Sequence, residues 1–267
     1  MQLTKDSTLC ISIAARPSNF GTTLFNKAFA ERGLDYIYKA MCVDPDGDLE
    51  GVIRGIRALG IRGCGVSMPF KERVIPYMDR LDVTAEKVGS VNTIVNEKGK
   101  LIGFNTDYLG VLEVLKRDCD VRGRKVLLCG LGGVALAIAH ALKDLEANFY
   151  ITGRDEEKLR SFIKKIPCKT YPWKDLSTAR GYLLINATPI GMAPDEDSTV
   201  VSASVLNNFE VIFDVVIKPM QTKLIRLAQE KNVKTISGYQ MALEQALWQF
   251  QLYTGEEMPR DVIVNLF

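Results

Sequence analysis

Residues 125–142, KVLLCGLGGVALAIAHAL, restrict the fold more than any other stretch of the chain. The run KVLLC is short, apolar and of buried-strand type, and the alanine-rich run that follows has helical character. Between them Gly130, Leu131, Gly132, Gly133, Val134 and Ala135 fit the pattern G-x-G-x-x-G/A. The first glycine permits a tight turn, the second lets backbone approach a pyrophosphate, and the small last residue lets the helix pack closely on the sheet. The helix N-terminus then offers N–H groups and partial positive charge to phosphates. A second strand, NFYITG, follows at the distance a βαβ unit requires. That context separates a dinucleotide loop from an ordinary glycine turn, and it demands an α/β fold with parallel strands.

The end of this second strand bears on the cofactor. An acidic residue there binds the ribose hydroxyl of NAD, whereas arginine receives the 2′-phosphate of NADP. The chain carries Gly153-Arg154-Asp155-Glu156-Glu157-Lys158, so both signals are present. Arg154 comes first, and Lys158 lies four residues on, where a helix returns it to the same face. This order favours NADP and leaves NAD open. Asp155 is also a natural helix N-cap.

The same alternation runs through the rest of the chain. TLCISIAA, TTLFNKAFAERG, YIYKAMCV, DLEGVIRGIRALG, GCGVSM and FKERVIPYMDRL read as strand and helix three times over. TIVNEKGKLIGFNTD reads as a hairpin turning at Glu97-Lys98-Gly99. A helix is expected near residues 108–117, and Val121-Arg122-Gly123-Arg124 reads as a hinge before the second series. In that series YLLINA, VIFDVV and KTIS follow as strands, and YQMALEQALWQFQLYTG closes it as an amphipathic helix. The expected architecture is a two-domain α/β protein with a cleft between the domains, where ligands commonly sit. Residues 1–107, completed by the C-terminal helix 238–267, form the first domain, and residues 108–237 form the Rossmann-like second.

Composition removes several function classes. With 34 basic and 32 acidic residues the net charge is +2, which implies no general attraction to nucleic acid or to a membrane surface. No apolar run approaches the roughly 20 residues of a membrane span, and the N-terminus reads as a lead-in to a first strand rather than a signal peptide. Six scattered cysteines without a C-x-x-C pair point to a reducing cytoplasm and away from a structural zinc site. The single histidine, His140, falls inside the alanine-rich helix. A Ser-His-Asp hydrolase, a His-Asp dehydrogenase and a multi-histidine metal site are thereby disfavoured. Acid–base work is left to carboxylates, lysine, tyrosine or cysteine.

Four further stretches carry polar residues at strand ends. GCGVSMPFK delivers Lys71, SVNT carries Asn92, GFNTD ends in Asp107, and NATPIGM spans residues 186–192. Each alone is an unremarkable turn or cap. Together, and in this order, they resemble the shikimate/quinate dehydrogenase family, with the glycine loop and the late G…Q helix of Gly238 and Gln245. The resemblance implies a substrate domain and an NADP domain, with Lys71 and Asp107 as the catalytic pair. It also implies substrate contacts from Asn92, Gln245 and Ser67, the last in place of a family threonine. Cofactor contacts are expected from Gly130, Leu131, Gly132, Gly133, Val134, Arg154, Lys158, Thr188, Met192, Val215 and Gly238. A lysine partnered by an aspartate suits a chain without a usable histidine. The partners expected are a hydroxylated cyclic carboxylate and NADP, with no metal, in a monomer or homodimer.

Two departures fall on the substrate side. The family's Ser-x-Ser is matched here by Asn19 and Gly21, with Ser18, Thr22 and Thr23 as nearby hydroxyls at a different spacing. The family's substrate-contacting tyrosine is matched by Ile217. A site that loses hydrogen-bonding groups discriminates against its former substrate. The expectation is therefore a divergent subgroup with retained chemistry and an altered substrate or efficiency with shikimate. A sensor or regulatory protein of the same fold that binds NADP(H) is the alternative.

Overall fold

A computed structural model describes residues 4–259. The chain forms two compact units, one reaching to Thr106 and resuming at Ala246, the other Asp107–Gln245.

The first unit runs β1 (Thr8–Ala14), α1 (Phe20–Glu31), β2 (Tyr36–Cys42), α2 (Leu49–Ala58), β3 (Gly63–Val66), β4 (Arg80–Leu81), α3 (Val83–Val88), β5 (Thr93–Glu97) and β6 (Lys100–Phe104). The strands form one sheet in the order β2-β1-β3-β5-β6-β4. β1 lies parallel to β2 and β3, but β5 is antiparallel to both β3 and β6. The sheet is thus mixed rather than wholly parallel, because the β5–β6 hairpin reverses the chain. Its two-residue turn places Lys98 at φ 52° and Gly99 at φ 86°, the left-handed pair whose twist matches a hairpin.

FKERVIPYMDRL, expected as a helix, is instead a run of turns. Phe70 N–H donates to Ser67 O at 2.9 Å and Val74 N–H to Phe70 O at 3.0 Å. One 3₁₀ turn follows over Ile75–Tyr77, and the chain extends into β4. Pro76 has no N–H to continue a helix, and the apolar side chains of this segment are spent on the core. Pro69 accordingly opens a turn rather than the first turn of an α-helix.

Alternation along β1 and β3 gives the sheet two faces. Ile11, Ile13, Cys64 and Val66 pack with Ile53 and Ile56 of α2. The opposite face carries an aromatic cluster in which Phe25 stacks on Tyr38 at 4.5 Å between ring centroids and 8° between planes. Phe250 and Tyr253 from the C-terminal helix join it. Gly63 is required there, since a Cβ would lie 2.3 Å from the Tyr253 ring. Arg62 ties the end of that helix to β5, donating to Tyr253 O at 2.9 Å and Leu252 O at 3.2 Å on the helix and to Asn96 O at 3.0 Å on the strand.

The chain continues through α4 (Thr106–Asp118), β7 (Lys125–Cys129), α5 (Gly133–Asp144), β8 (Asn148–Thr152), α6 (Glu156–Lys165), β9 (Lys169–Thr170), β10 (Leu183–Asn186), α7 (Ala203–Leu206), β11 (Val211–Asp214), α8 (Lys223–Glu230), β12 (Lys234–Ser237) and α9 (Gly238–Thr254). The second unit's sheet is parallel in the order β12-β11-β10-β7-β8-β9. Its chain reverses direction of growth at β7, the doubly wound arrangement of nucleotide-binding sheets. Ala135, Ala137, Ala139 and Ala141 of α5 are fully buried, and their small side chains let the helix lie close to the sheet. Residues 121–124, expected as a hinge, are a turn inside this unit: Gly123, at φ 68°, donates its N–H to Glu146 O at 2.8 Å. The expected C-terminal helix reaches Thr254, and residues 260–267 of it lie outside the described residues. No helix among the described residues is long and apolar enough to cross a membrane.

Candidate active site

In the first unit, the carboxyl ends of β1 and β3 meet the start of β5. Ser67 N–H donates to Ile13 O at 2.9 Å, Val66 N–H to Asn92 O at 2.7 Å and Val91 N–H to Lys71 O at 2.8 Å. The backbones bearing Ser67, Lys71 and Asn92 are thus sewn to one edge of the sheet.

Asn92 is the centre of this edge. It is 1% exposed, and its Oδ1 accepts from Thr106 N–H at 2.7 Å, Thr93 Oγ1 at 2.9 Å and Thr106 Oγ1 at 3.1 Å. A backbone N–H can only donate, so the amide oxygen is fixed on that side and the NH₂ on the other. That Nδ2 is buried and has no hydrogen-bond partner among the described residues. A buried donor in this condition costs about 1–3 kcal/mol until something accepts its bond. Asn105 ties the two motifs further, its Nδ2 donating to Ser90 O and Ser90 Oγ at 2.9 Å each. Asp107 follows in the first turn of α4 and is buried. Lys71 is half-buried.

Thr93, Thr106 and Gln249 belong to this network as well, although the sequence pattern alone does not mark them as site residues. Gln249 Nε2 donates to Thr93 Oγ1 at 2.8 Å. It lies one helical turn beyond Gln245 on α9. Gln245 itself is half-buried, its backbone N 2.8 Å from where a Cβ on Gly110 of α4 would stand.

The segment that departs from the family pattern has its own geometry. Asn19 is exposed at the N-cap of α1 and its side chain makes no cap bond. Thr22 Oγ1 accepts from Ala40 N–H at 3.1 Å, which turns it toward β2. A Cβ on Gly21 would lie 3.0 Å from Tyr38 Cε1 and 3.2 Å from its hydroxyl. Tyr38 is 3% exposed, burial pushes its phenol up despite a bond from Ser12, and its ring takes the room a side chain at 21 would need.

In the second unit, Gly130 has φ 123°, and a Cβ there would stand 2.5 Å from Ala187 O. Only glycine satisfies both constraints. Gly132 is the N-cap of α5 with no side-chain bond to the helix, and a Cβ on Gly132 or Gly133 would meet open space. A bare backbone at the N-terminus of a three-turn helix fits a pyrophosphate. Val134 is half-buried in the first turn, and Leu131 rests on Gly153, whose Cβ would be 2.4 Å from it.

Asn186 joins the neighbouring strand ends. Its Oδ1 accepts from Thr188 N–H at 3.1 Å and Thr188 Oγ1 at 2.6 Å, and its Nδ2 donates to Asp214 Oδ1 at 3.0 Å and Ile190 O at 3.1 Å. Val215 N–H donates to Asn186 O at 3.0 Å, and a Cβ on Gly238 would stand 2.4 Å from Val215 O. Gly130, Thr188, Val215 and Gly238 therefore form a row across the carboxyl ends of β7, β10, β11 and β12, the side on which doubly wound sheets take nucleotides. Met192 and Ile217 are exposed in the loops after β10 and β11. Burial raises the Asp214 carboxyl to about 6 even though Thr222, Val216 and Asn186 all donate to it. Beyond β8, Asp155 caps α6, its Oδ1 accepting from Lys158 N–H at 3.0 Å and its Oδ2 lying 3.6 Å from Lys158 Nζ. The Arg154 guanidinium lies 5.8 Å from the centre of the Trp173 ring.

A mixed α/β unit with a polar strand-end edge, followed by a doubly wound nucleotide sheet, is the architecture of a two-domain dehydrogenase. The comparisons with known proteins narrow this class. The shikimate dehydrogenase substrate binding domain matches residues 20–94, and the shikimate 5′-dehydrogenase C-terminal domain matches residues 238–265. A shikimate dehydrogenase-like protein of Haemophilus influenzae is 38% identical, covering 98% of this chain and 96% of its own. A shikimate dehydrogenase (NADP(+)) of Listeria innocua is 37% identical, covering 96% of this chain and 94% of its own. The crystal structure of Listeria monocytogenes shikimate 5-dehydrogenase with shikimate and NAD superposes with a TM-score of 0.90 at 35% identity, covering 100% of this chain and 99% of that one. The chain belongs to the shikimate dehydrogenase-like family.

Proposed function

We propose that this chain is an NADP-dependent oxidoreductase that interconverts a ring hydroxyl and a ketone on shikimate or a related hydroxylated cyclic carboxylate. The observation that carries the reading is the Asn92 amide, oriented by three donors and left with a buried, unpartnered Nδ2. Such a donor is matched by a hydroxyl or carboxylate oxygen of a ligand. In this reading residues 1–107, completed by the C-terminal helix 238–267, take the substrate, and residues 108–237 take the nucleotide.

Oxidation removes one proton and one hydride from a secondary alcohol. The Lys71 amine accepts the hydroxyl proton, and Asp107 is its partner. NADP+, when bound, supplies the acceptor for the hydride. In the reverse direction the Lys71 ammonium returns the proton to the oxygen of the former ketone. Asn92 donates to a substrate oxygen, and Ser67, Gln245, Asn19 and Thr22 supply further polar contacts. Gly130 to Val134 would hold the pyrophosphate of NADP on backbone N–H groups, Arg154 and Lys158 would meet its 2′-phosphate, and Thr188, Met192, Val215 and Gly238 would receive its nicotinamide end.

The test is the formation of reduced nicotinamide on adding shikimate, quinate and related ring acids with each cofactor. Lys71→Ala is expected to lower kcat by about 10²–10⁴-fold while leaving NADPH affinity unchanged. A variant as fast as wild type removes Lys71 from the chemistry. The altered Asn19–Gly21 segment favours one second reading, an NADP(H)-binding sensor. Tight NADPH binding without turnover across the whole panel selects it.

A further inference from the structure

We propose that Trp173 and Asp155 set how strongly this chain distinguishes NADP from NAD, Trp173 as a positioning residue for Arg154 and Asp155 as the counter-charge that restrains Lys158. The inference rests on the nucleotide reading above and goes beyond it by dividing the two cations between different roles.

Arg154 lies in the exposed turn after β8, where a long side chain has many rotamers to lose on binding. Trp173 limits that freedom. Its indole is half-buried against the core cluster that includes Leu176 and Val200, so it is a fixed platform. The guanidinium sits 5.8 Å from the ring centre, within the range of a cation–π contact. Trp173 itself opens the 3₁₀ segment Trp173–Thr178 beyond β9, next to β8 in the sheet. Arg154 is therefore held beside the strand end at which the adenosine ribose of a nucleotide lies in such folds.

Lys158 is differently placed. Its ammonium is 3.6 Å from Asp155 Oδ2, and the same carboxylate is pinned by capping α6. A 2′-phosphate approaching Lys158 meets the Asp155 charge as well, whereas a free 2′-hydroxyl finds in that carboxylate an acceptor. Asp155 thus favours NAD while Arg154, held by Trp173, favours NADP.

The experiment is a titration of wild type, Trp173→Leu, Trp173→Phe, Asp155→Asn and Arg154→Leu with NADPH and with NADH, read by nicotinamide fluorescence, alongside a thermal midpoint for each. Trp173→Leu is expected to weaken NADPH about two- to five-fold, the size of an exposed cation–π contact, with NADH unchanged. Trp173→Phe, which keeps a ring face, recovers most of that loss. Asp155→Asn keeps the cap, since asparagine caps as well as aspartate, and tightens NADPH by up to about five-fold relative to NADH. Arg154→Leu abolishes the difference that Trp173 modulates. Equal weakening of both nucleotides by Trp173→Leu, or an unchanged NADPH/NADH ratio in Asp155→Asn, overturns the inference while the nucleotide reading stands. Failure of wild type to bind either nucleotide overturns both.

Discussion

Replacing Asn92 with aspartate isolates a single atom. The Oδ1 that accepts from Thr106 N–H at 2.7 Å, Thr93 Oγ1 at 2.9 Å and Thr106 Oγ1 at 3.1 Å is retained, and only the NH₂ becomes oxygen. The local fold keeps its three bonds, each worth about 1 kcal/mol net. The buried unpartnered donor disappears as well, which offsets part of the cost of a buried carboxylate. Because an uncompensated buried charge costs several kcal/mol, stability is expected to fall, by on the order of 3 kcal/mol. Binding is another matter. A substrate oxygen that accepted from Nδ2 now faces an acceptor, and loss of such a bond costs about 1–3 kcal/mol, or roughly five- to 150-fold in affinity.

Two measurements separate the outcomes. Urea unfolding reports the fold, and KM for the ring acid reports the contact, with NADPH affinity as a control on the other unit. The expected pattern for Asn92→Asp is a lowered but still cooperative unfolding transition, unchanged NADPH affinity and a KM raised about ten- to a hundred-fold, an order-of-magnitude figure from the same bond energies. An unchanged KM in a folded variant refutes the assignment of Nδ2 to substrate. A large loss of stability with unchanged KM makes Asn92 a structural hub alone.

Two further outcomes test the surroundings. Asp214 has its carboxyl raised to about 6 by burial, against an ordinary value near 4, so the folded state keeps a proton that the unfolded state has released. Stability from this group is therefore full below pH 4 and falls as pH rises to about 6, by on the order of 3 kcal/mol. Asp214→Asn is expected to flatten that part of the urea-unfolding profile, and identical pH slopes in both proteins would falsify the account. Gly21→Ser, which restores one hydroxyl of the family pattern, presses on a Tyr38 ring 3.0 Å away. It is expected to cost about 1–3 kcal/mol without lowering KM for shikimate, and a stable variant with improved KM contradicts the steric reading.

What the sequence disclosed follows the range of the interactions involved. The glycine loop was legible because a strand, a turn and a helix N-terminus act within about a dozen residues, and each glycine has a local reason. The β5–β6 hairpin was legible for the same reason, from a two-residue turn. FKERVIPYMDRL misled because its apolar residues satisfy a helical spacing while Phe70 and Val74 are drawn into the core beside Ile53 and Ile56 by contacts distant in sequence. Tyr38, Trp173 and Gln249 carry no signal of their own in the sequence because their neighbours lie on other elements. Tyr38 matters through Gly21 and Gly65, Trp173 through Arg154, and Gln249 through Thr93. Nothing in a linear pattern sets those pairs side by side.

Two asparagines in similar settings differ in how they spend their side-chain amides. Asn186 and Asn92 are each 1% exposed, and both stand at strand ends beside threonines that donate to Oδ1. Both therefore have an amide whose orientation is dictated by the backbone. Asn186 spends its Nδ2 completely, one bond to Asp214 and one to Ile190 O, and so locks the β10 and β11 loops together. Asn92 holds an equally rigid acceptor side, yet its Nδ2 has no partner among the described residues. Folding alone gives no reason to bury a donor in that state, since a serine or threonine at 92 would offer an acceptor with less unpaired polarity. On the function proposed above, the unpaired donor is intelligible as a group held ready for an oxygen that arrives with the substrate.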